Sequence, residues 1–221
     1  MSEFRRLMMA KKVGGGLPAG VVLYDWIATD GKAFINTGVI GNAPLYSEVS
    51  FRWSGGSASS PDSVILGARK DSNNTRIFLS ALNQVNLGIG VGSYMTLGAK
   101  LTDSMKYGYL ITQYTTIAEK GSSYLTVAEL AYMGGNATTS TTPPITNLPL
   151  YLFRNNYSTA SYCSPNLHLE NAVIWTDDTK TNKLFDPHPC TYNGVAGVWD
   201  MVSNRFFGNA NSSGSFTVGN N

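Results

Sequence analysis

Charge, histidine and cysteine are all in short supply in this 221-residue chain. Only 14% of its residues are charged, and it has two histidines and two cysteines. Cys163 and Cys190 belong to no C-x-x-C pair, which excludes the common zinc and redox frameworks and predicts two buried free thiols. The five glutamates have no acidic neighbour two or four positions away, so the paired carboxylates that glycoside hydrolysis needs are absent from any one strand. Asp177 and Asp178 are adjacent and read as a solvated turn pair. There is no G-x-S-x-G elbow. His168 is expected on the outward side of a strand, and His188, between two prolines, in a loop with no triad partner. No loop gathers the Asp, Asn and Glu ligands of a metal site, so neither metal nor other cofactor is expected.

Long apolar runs are missing too. The stretch Leu7 to Ala10 is far too short for a signal-peptide core or a membrane span, which predicts neither export nor membrane insertion. With 16 basic against 14 acidic residues the net charge is only +2, too balanced for a nucleic-acid groove. Helical periodicity is confined to residues 1–12, where Phe4, Leu7 and Met8 recur at i, i+3, i+4. Gly14, Gly15, Gly16 and Pro18 then separate that stretch from the rest of the chain. Residues 1–20 read as an N-terminal arm and linker, and 21–221 as one domain.

What the chain has in quantity is glycine, 23 residues, and tyrosine, 12, in short runs separated by polar turns. Strand patterns cover Val21 to Ile27, Ala33 to Val39, Ser47 to Trp53, Val64 to Arg69, Arg76 to Leu82 and Val85 to Val91. They resume at Lys106 to Thr116, Tyr124 to Met133, Leu148 to Arg154, Leu167 to Thr176, Val195 to Asp200, Arg205 to Phe207 and Ser215 to Val218. With no helices between them, these runs predict an all-β fold, a two-sheet antiparallel sandwich with a short N-terminal arm. The polar stretches Ser54 to Ser63 and Gly134 to Asn147 are candidate contact loops. Gly88, Gly90 and Gly92 alternate onto one strand face with no helix after them, so they mark close sheet packing or a curved, ligand-facing strand rather than a phosphate loop.

Three stretches resemble the concanavalin A-like, laminin-G-type jelly rolls found in gut Bacteroidetes and their phages: DWIATDGKAFINTGV from Asp25, NLPLYLFRNN from Asn147, and the run from Phe185 through PCTYNGVAGVWDMVSNRFFGNANSSGSFTVG. The resemblance covers most of the chain from Asp25 onward and implies a concanavalin A-like jelly roll. It is least good at Phe185-Asp-Pro-His-Pro, where Pro187 and Pro189 cannot donate to a ladder and put the local edge strand in question.

Some concanavalin A-like proteins are glycosidases, but the paired acids such chemistry needs are missing here, so a non-enzymatic protein that presents a binding surface is expected. Sugar recognition wants exposed rings beside planar polar groups, and Trp53, Tyr94, Arg154, Asn155 and Tyr157 are the candidates. Phe4, Arg5, Arg6, Leu7, Met8 and Met9 are candidate docking residues for other virion proteins or for copies of this chain. The expected role is a phage or prophage virion component: a decoration, fibre or adhesion protein made in the host cytoplasm that reaches cell-surface glycans. The alternative is a bacterial glycan-binding module, and a glycosidase ranks behind both.

Overall fold

The structure, a computed structural model, describes residues 16–42, 45–53, 64–70, 76–82, 84–90, 94–100, 106–111, 135–136, 145–157, 163, 165–177 and 179–220. The docking candidates Phe4 to Met9, the loop Ser54 to Ser63, the run Tyr124 to Met133 and Asp178 lie outside the described residues.

Among the described residues there are seventeen strands and no helix. They are β1 (Val21–Leu23), β2 (Trp26–Thr29), β3 (Ile35–Asn42), β4 (Tyr46–Trp53), β5 (Val64–Arg69), β6 (Arg76–Leu82), β7 (Gln84–Gly90), β8 (Tyr94–Lys100) and β9 (Lys106–Ile111). There follow β10 (Gly135–Asn136), β11 (Ile145–Leu152), β12 (Leu167–Trp175), β13 (Lys183–Phe185), β14 (Pro187–Tyr192), β15 (Val195–Asp200), β16 (Arg205–Phe207) and β17 (Phe216–Gly219). A seven-stranded sheet has the order β10-β8-β7-β6-β5-β11-β3 and a six-stranded sheet the order β17-β2-β12-β4-β9 with β13 beside β12. The named strands pair antiparallel, and the two sheets form the expected β-sandwich.

Period-2 alternation explains which faces meet. On the six-stranded sheet Ile27, Val49, Phe51, Ala172 and Ile174 are fully buried or nearly so; on the seven-stranded sheet Ile35, Leu66, Ala68, Leu150 and Leu152 are. Register extends that apolar face across the sheet through Ala68–Ile77–Ile89 and Leu66–Leu79–Leu87–Met95. Cys163 and Cys190 are buried free thiols, as their spacing suggests, and burial pushes the Cys190 thiol up to about 12.

A third sheet, β1-β14-β15-β16, was not foreseen in the sequence. Its inner face adds Val198 and Phe207 to the main core, while its outer face holds Leu23, Cys190 and Trp199 with Leu17, Tyr192 and Phe206 packed around them. The stretch in doubt, Pro187 to Tyr192, is therefore a strand paired on both sides, and His188 lies on it rather than in a loop. The prolines are tolerated because of their phase. Asp186 O accepts from Met201 N, so even-numbered residues bond β15 and odd-numbered ones face β1. β1 pairs only Cys190 to Tyr192, and Tyr24 N donates to Pro189 O, so the missing donors of Pro187 and Pro189 fall where β1 has ended. Asn193 and Gly194, both at positive φ, close the β14–β15 hairpin as a two-residue turn.

The run from Val21, expected as one strand, is two. Its first half pairs with β14; at Tyr24 and Asp25 it changes partner, Asp25 N donating to Gly219 O, and its second half lies between β17 and β12. Over the nine residues Val21 to Thr29 this path, bent at Asp25, spans less than about 30 Å. It carries the chain from Gly20, which is bonded to Asn193, to Asp30 at the other end of the sandwich.

Candidate functional site

At that far end, three segments converge. After β11 the chain turns sharply at Phe153, a fully buried ring at φ 68, whose N–H donates to Ile65 O. A bulky residue at positive φ is costly, and here burial of the ring and the surrounding bonds offset the strain. The following residues fold back onto the end of β5: Asn156 N donates to Gly67 O, Arg69 N to Asn156 O, and the Asn156 Nδ2 to Pro149 O. Cys163 N closes the loop onto Phe153 O.

These bonds fix two guanidinium–ring contacts. The Arg154 guanidinium lies 4.7 Å from the centroid of Phe34, whose ring in turn stacks on Tyr151 at 4.7 Å. The Arg69 guanidinium lies 4.6 Å from the centroid of Tyr157. Such contacts contribute on the order of 0.5–2 kcal/mol each. Next to Arg154 along the chain, Asn155 is 9% exposed and its Oδ1 has no hydrogen-bond partner.

Phe34 is held from the other side. Its N–H donates to Asn209 Oδ1 and its carbonyl accepts from Ala210 N. Asp30 anchors the same corner by accepting from Lys32 N, Ala33 N and Ser215 N. Burial, the largest single effect, raises the Asp30 carboxyl, but those bonds together outweigh it and leave it below the ordinary aspartate value.

The other described acids with resolved contacts are likewise bound into turns. Asp177 accepts from Thr179, Thr181 and Asn182, which places it in a turn as expected. Asp186 accepts from Lys183 and approaches His188 at 3.4 Å. Burial raises its carboxyl, yet the bonds from His188 and Lys183 leave it lowered overall. A depressed carboxylate stabilises the fold above the unfolded value and loses that contribution as pH falls through its folded value. The melting-temperature gap between the native chain and Asp186→Asn should accordingly shrink between about pH 6 and about pH 3; thermal melts across that range check it. Among the described residues no group of three His, Cys, Asp or Glu is placed to hold a metal ion. The corner thus gathers two guanidinium groups on ring faces and one buried amide oxygen without a partner.

Of the sequence candidates, the structure brings Arg154, Asn155 and Tyr157 together. Tyr94 belongs to β8 of the same seven-stranded sheet. Trp53 stands at the end of β4 in the six-stranded sheet, opposite Leu167 of β12. His168 is half-buried on β12 with its ring stacked 3.9 Å from that of Trp26, and burial lowers its pKa. Arg69, Phe34 and Tyr151 were missed, because only cross-strand register brings them to Arg154 and Tyr157. No protein-family model matches this chain, and no curated protein matches it in sequence.

Proposed function

We propose that this chain is a non-enzymatic binding protein, a phage or prophage virion component that is held by its N-terminal arm and presents a concanavalin A-like, lectin-like sandwich to cell-surface glycans. The observation that carries the reading is the separation of the two ends. The chain enters the sandwich at Gly20, beside the Asn193 hairpin. The ring and guanidinium cluster around Arg154 and Phe34 sits beside Asp30, at the end of the Val21 to Thr29 path. A protein anchored at the first end exposes the second. The described aspartates support the non-enzymatic reading, since Asp30, Asp177 and Asp200 are spent on holding backbone turns.

Deletion of residues 1–16 tests it. The truncated chain should melt within a few degrees of the full chain and fail to enter its particle. Normal incorporation of the truncated protein would remove the reading. The bacterial glycan-binding module is the second reading, favoured by the Arg154, Asn155 and Tyr157 cluster, which needs no particle to work. Immunogold electron microscopy separates the two: label on virions supports the first, and label confined to bacterial cells the second.

A further inference from the structure

Trp26 and His168 meet on the face of the six-stranded sheet that is turned away from the core. Their chain neighbours Ile27 and Leu169 stand opposite each other and are buried in the core, so alternation sends Trp26 and His168 to the other side. There the two rings stack at 3.9 Å with 11° between their planes. Gly219 of β17 lies opposite Trp26 across β2, and a Cβ there would stand 2.3 Å from the indole Cζ2. Glycine is what lets the indole lie against β17 while it stacks on His168 of β12. One ring layer thus joins three strands.

That layer crosses the least paired seam of its sheet. β12 pairs with β4 at eight positions, from Leu167 and Trp53 to Trp175 and Tyr46, and β2 pairs with β17 at four. β2 and β12 share a single paired position, Leu169 with Ile27. The two-stranded unit of β2 and β17 is therefore attached to β12 by core contacts on one side of the sheet and by the Trp26 and His168 stack on the other.

Imidazole is the one group of the stack that titrates near neutral pH. An indole face attracts a cation, but burial opposes the charge and prevails, holding the His168 pKa below its ordinary 6.5. The strands β2 and β17 contain no ionisable side chain. On β4 Arg52 stands opposite His168, and on β9 Lys106 stands opposite Arg52, so two cationic residues continue its row. The acids nearest in the chain, Asp25 before β2 and Glu170 on β12, each have interactions of their own. The unfolded chain takes up the proton near 6.5 and the folded chain only at lower pH. The stability held by neutral His168 is thus complete above that value and is lost as pH falls from there to the folded value.

We propose that the Trp26 and His168 stack is an acid-released latch: with a neutral imidazole it holds β2 and β17 onto β12, and protonation of His168 frees that two-stranded unit while the β12 and β4 ladder stays closed. The latch is independent of the virion reading and adds a regulated opening at the strand through which the chain passes from Gly20 to Asp30.

Amide hydrogen exchange of the full chain at about pH 7 and about pH 5, expressed as protection relative to the unfolded chain at each pH, tests it. Ordinary carboxylates stay largely ionised over that range, so the change reports on histidine. Protection of the β2 and β17 amides is expected to fall at the lower pH while that of β4, β14 and β15 holds. His168→Phe keeps a ring beside Trp26 without the proton and should show no such fall, whereas His188→Gln should show it in full. No loss in the native chain, loss spread evenly over every strand, or the same loss in His168→Phe would each overturn the proposal. Should His168→Phe fail to fold, His188→Gln decides, because His168 is then the only histidine in the chain. An acid response that persists in that variant supports the latch, and one that vanishes removes it.

Discussion

An Asp200→Ala variant is expected to melt about 10 °C or more below the native chain, a loss of about 3 kcal/mol or more. Asp200 ends β15 and is only 1% exposed. Its Oδ1 accepts from Asp186 N at 2.7 Å and Val202 N at 3.2 Å, while its Oδ2 accepts from Ser203 N at 2.9 Å and from the Ser203 hydroxyl. One carboxylate thus joins the strand entering β14 to the turn between β15 and β16. Alanine would leave three backbone N–H groups without an acceptor, and an unmade bond to a buried group costs more than a made one contributes. Asp200→Asn keeps one oxygen but turns an NH2 toward donors, so it should fall between the two. Calorimetry or circular-dichroism melts check the order, and a loss under about 1 kcal/mol for the alanine variant would show that the turn holds itself.

Gly197→Val is the second large effect, about 3 kcal/mol by overpacking. Gly197 lies opposite Cys190 on the outer face of the small sheet. A Cβ there would stand 2.4 Å from the Phe207 carbonyl oxygen and 2.7 Å from the Phe206 ring. The ring could swing, but the carbonyl belongs to β16 and moves only if that strand shifts. Displacing β16 also disturbs the Tyr192, Phe206 and Trp199 cluster, in which the Tyr192 ring lies 5.5 Å from that of Phe206 and 5.8 Å from that of Trp199. Tryptophan fluorescence should therefore shift before global unfolding. Gly16→Ala, with open space around it, serves as the neutral control.

The strands the sequence shows best are apolar, β-branched runs bounded by polar turn residues. β5, β6 and β12 appear close to where Val64 to Arg69, Arg76 to Leu82 and Leu167 to Thr176 suggest. β8 escaped because Tyr94 to Lys100 mixes Thr, Gly and Ala among its apolar residues and lacks a sharp period. β13 is three residues long, below any useful pattern length, and β10 only two. The prolines of β14 argued against a strand for a sound local reason, and only the place where β1 stops makes them harmless. The small sheet has the same origin: Val21 to Thr29 is one run in sequence, and its change of partner at Tyr24 is a tertiary fact.

The site divides the same way. Arg154, Asn155 and Tyr157 are neighbours in sequence and could be named together, whereas Arg69 and Phe34 reach them through the fold-back after Phe153 and the Asp30 corner. Which residues stand opposite one another across the seven-stranded sheet is set by the register of successive pairings, which depends on turn lengths and bulges rather than on composition.

The partner change within Val21 to Thr29 also bears on how the molecule carries load. A pull applied at Gly20 and resisted at the Asp30 end runs along the strand axis. It stresses the bonds to β14, then those to β17 and β12, in shear, so they must yield together instead of unzipping singly. Force entering at this point is shared between two sheets, and survival under load becomes a matter of unfolding rate rather than of equilibrium stability.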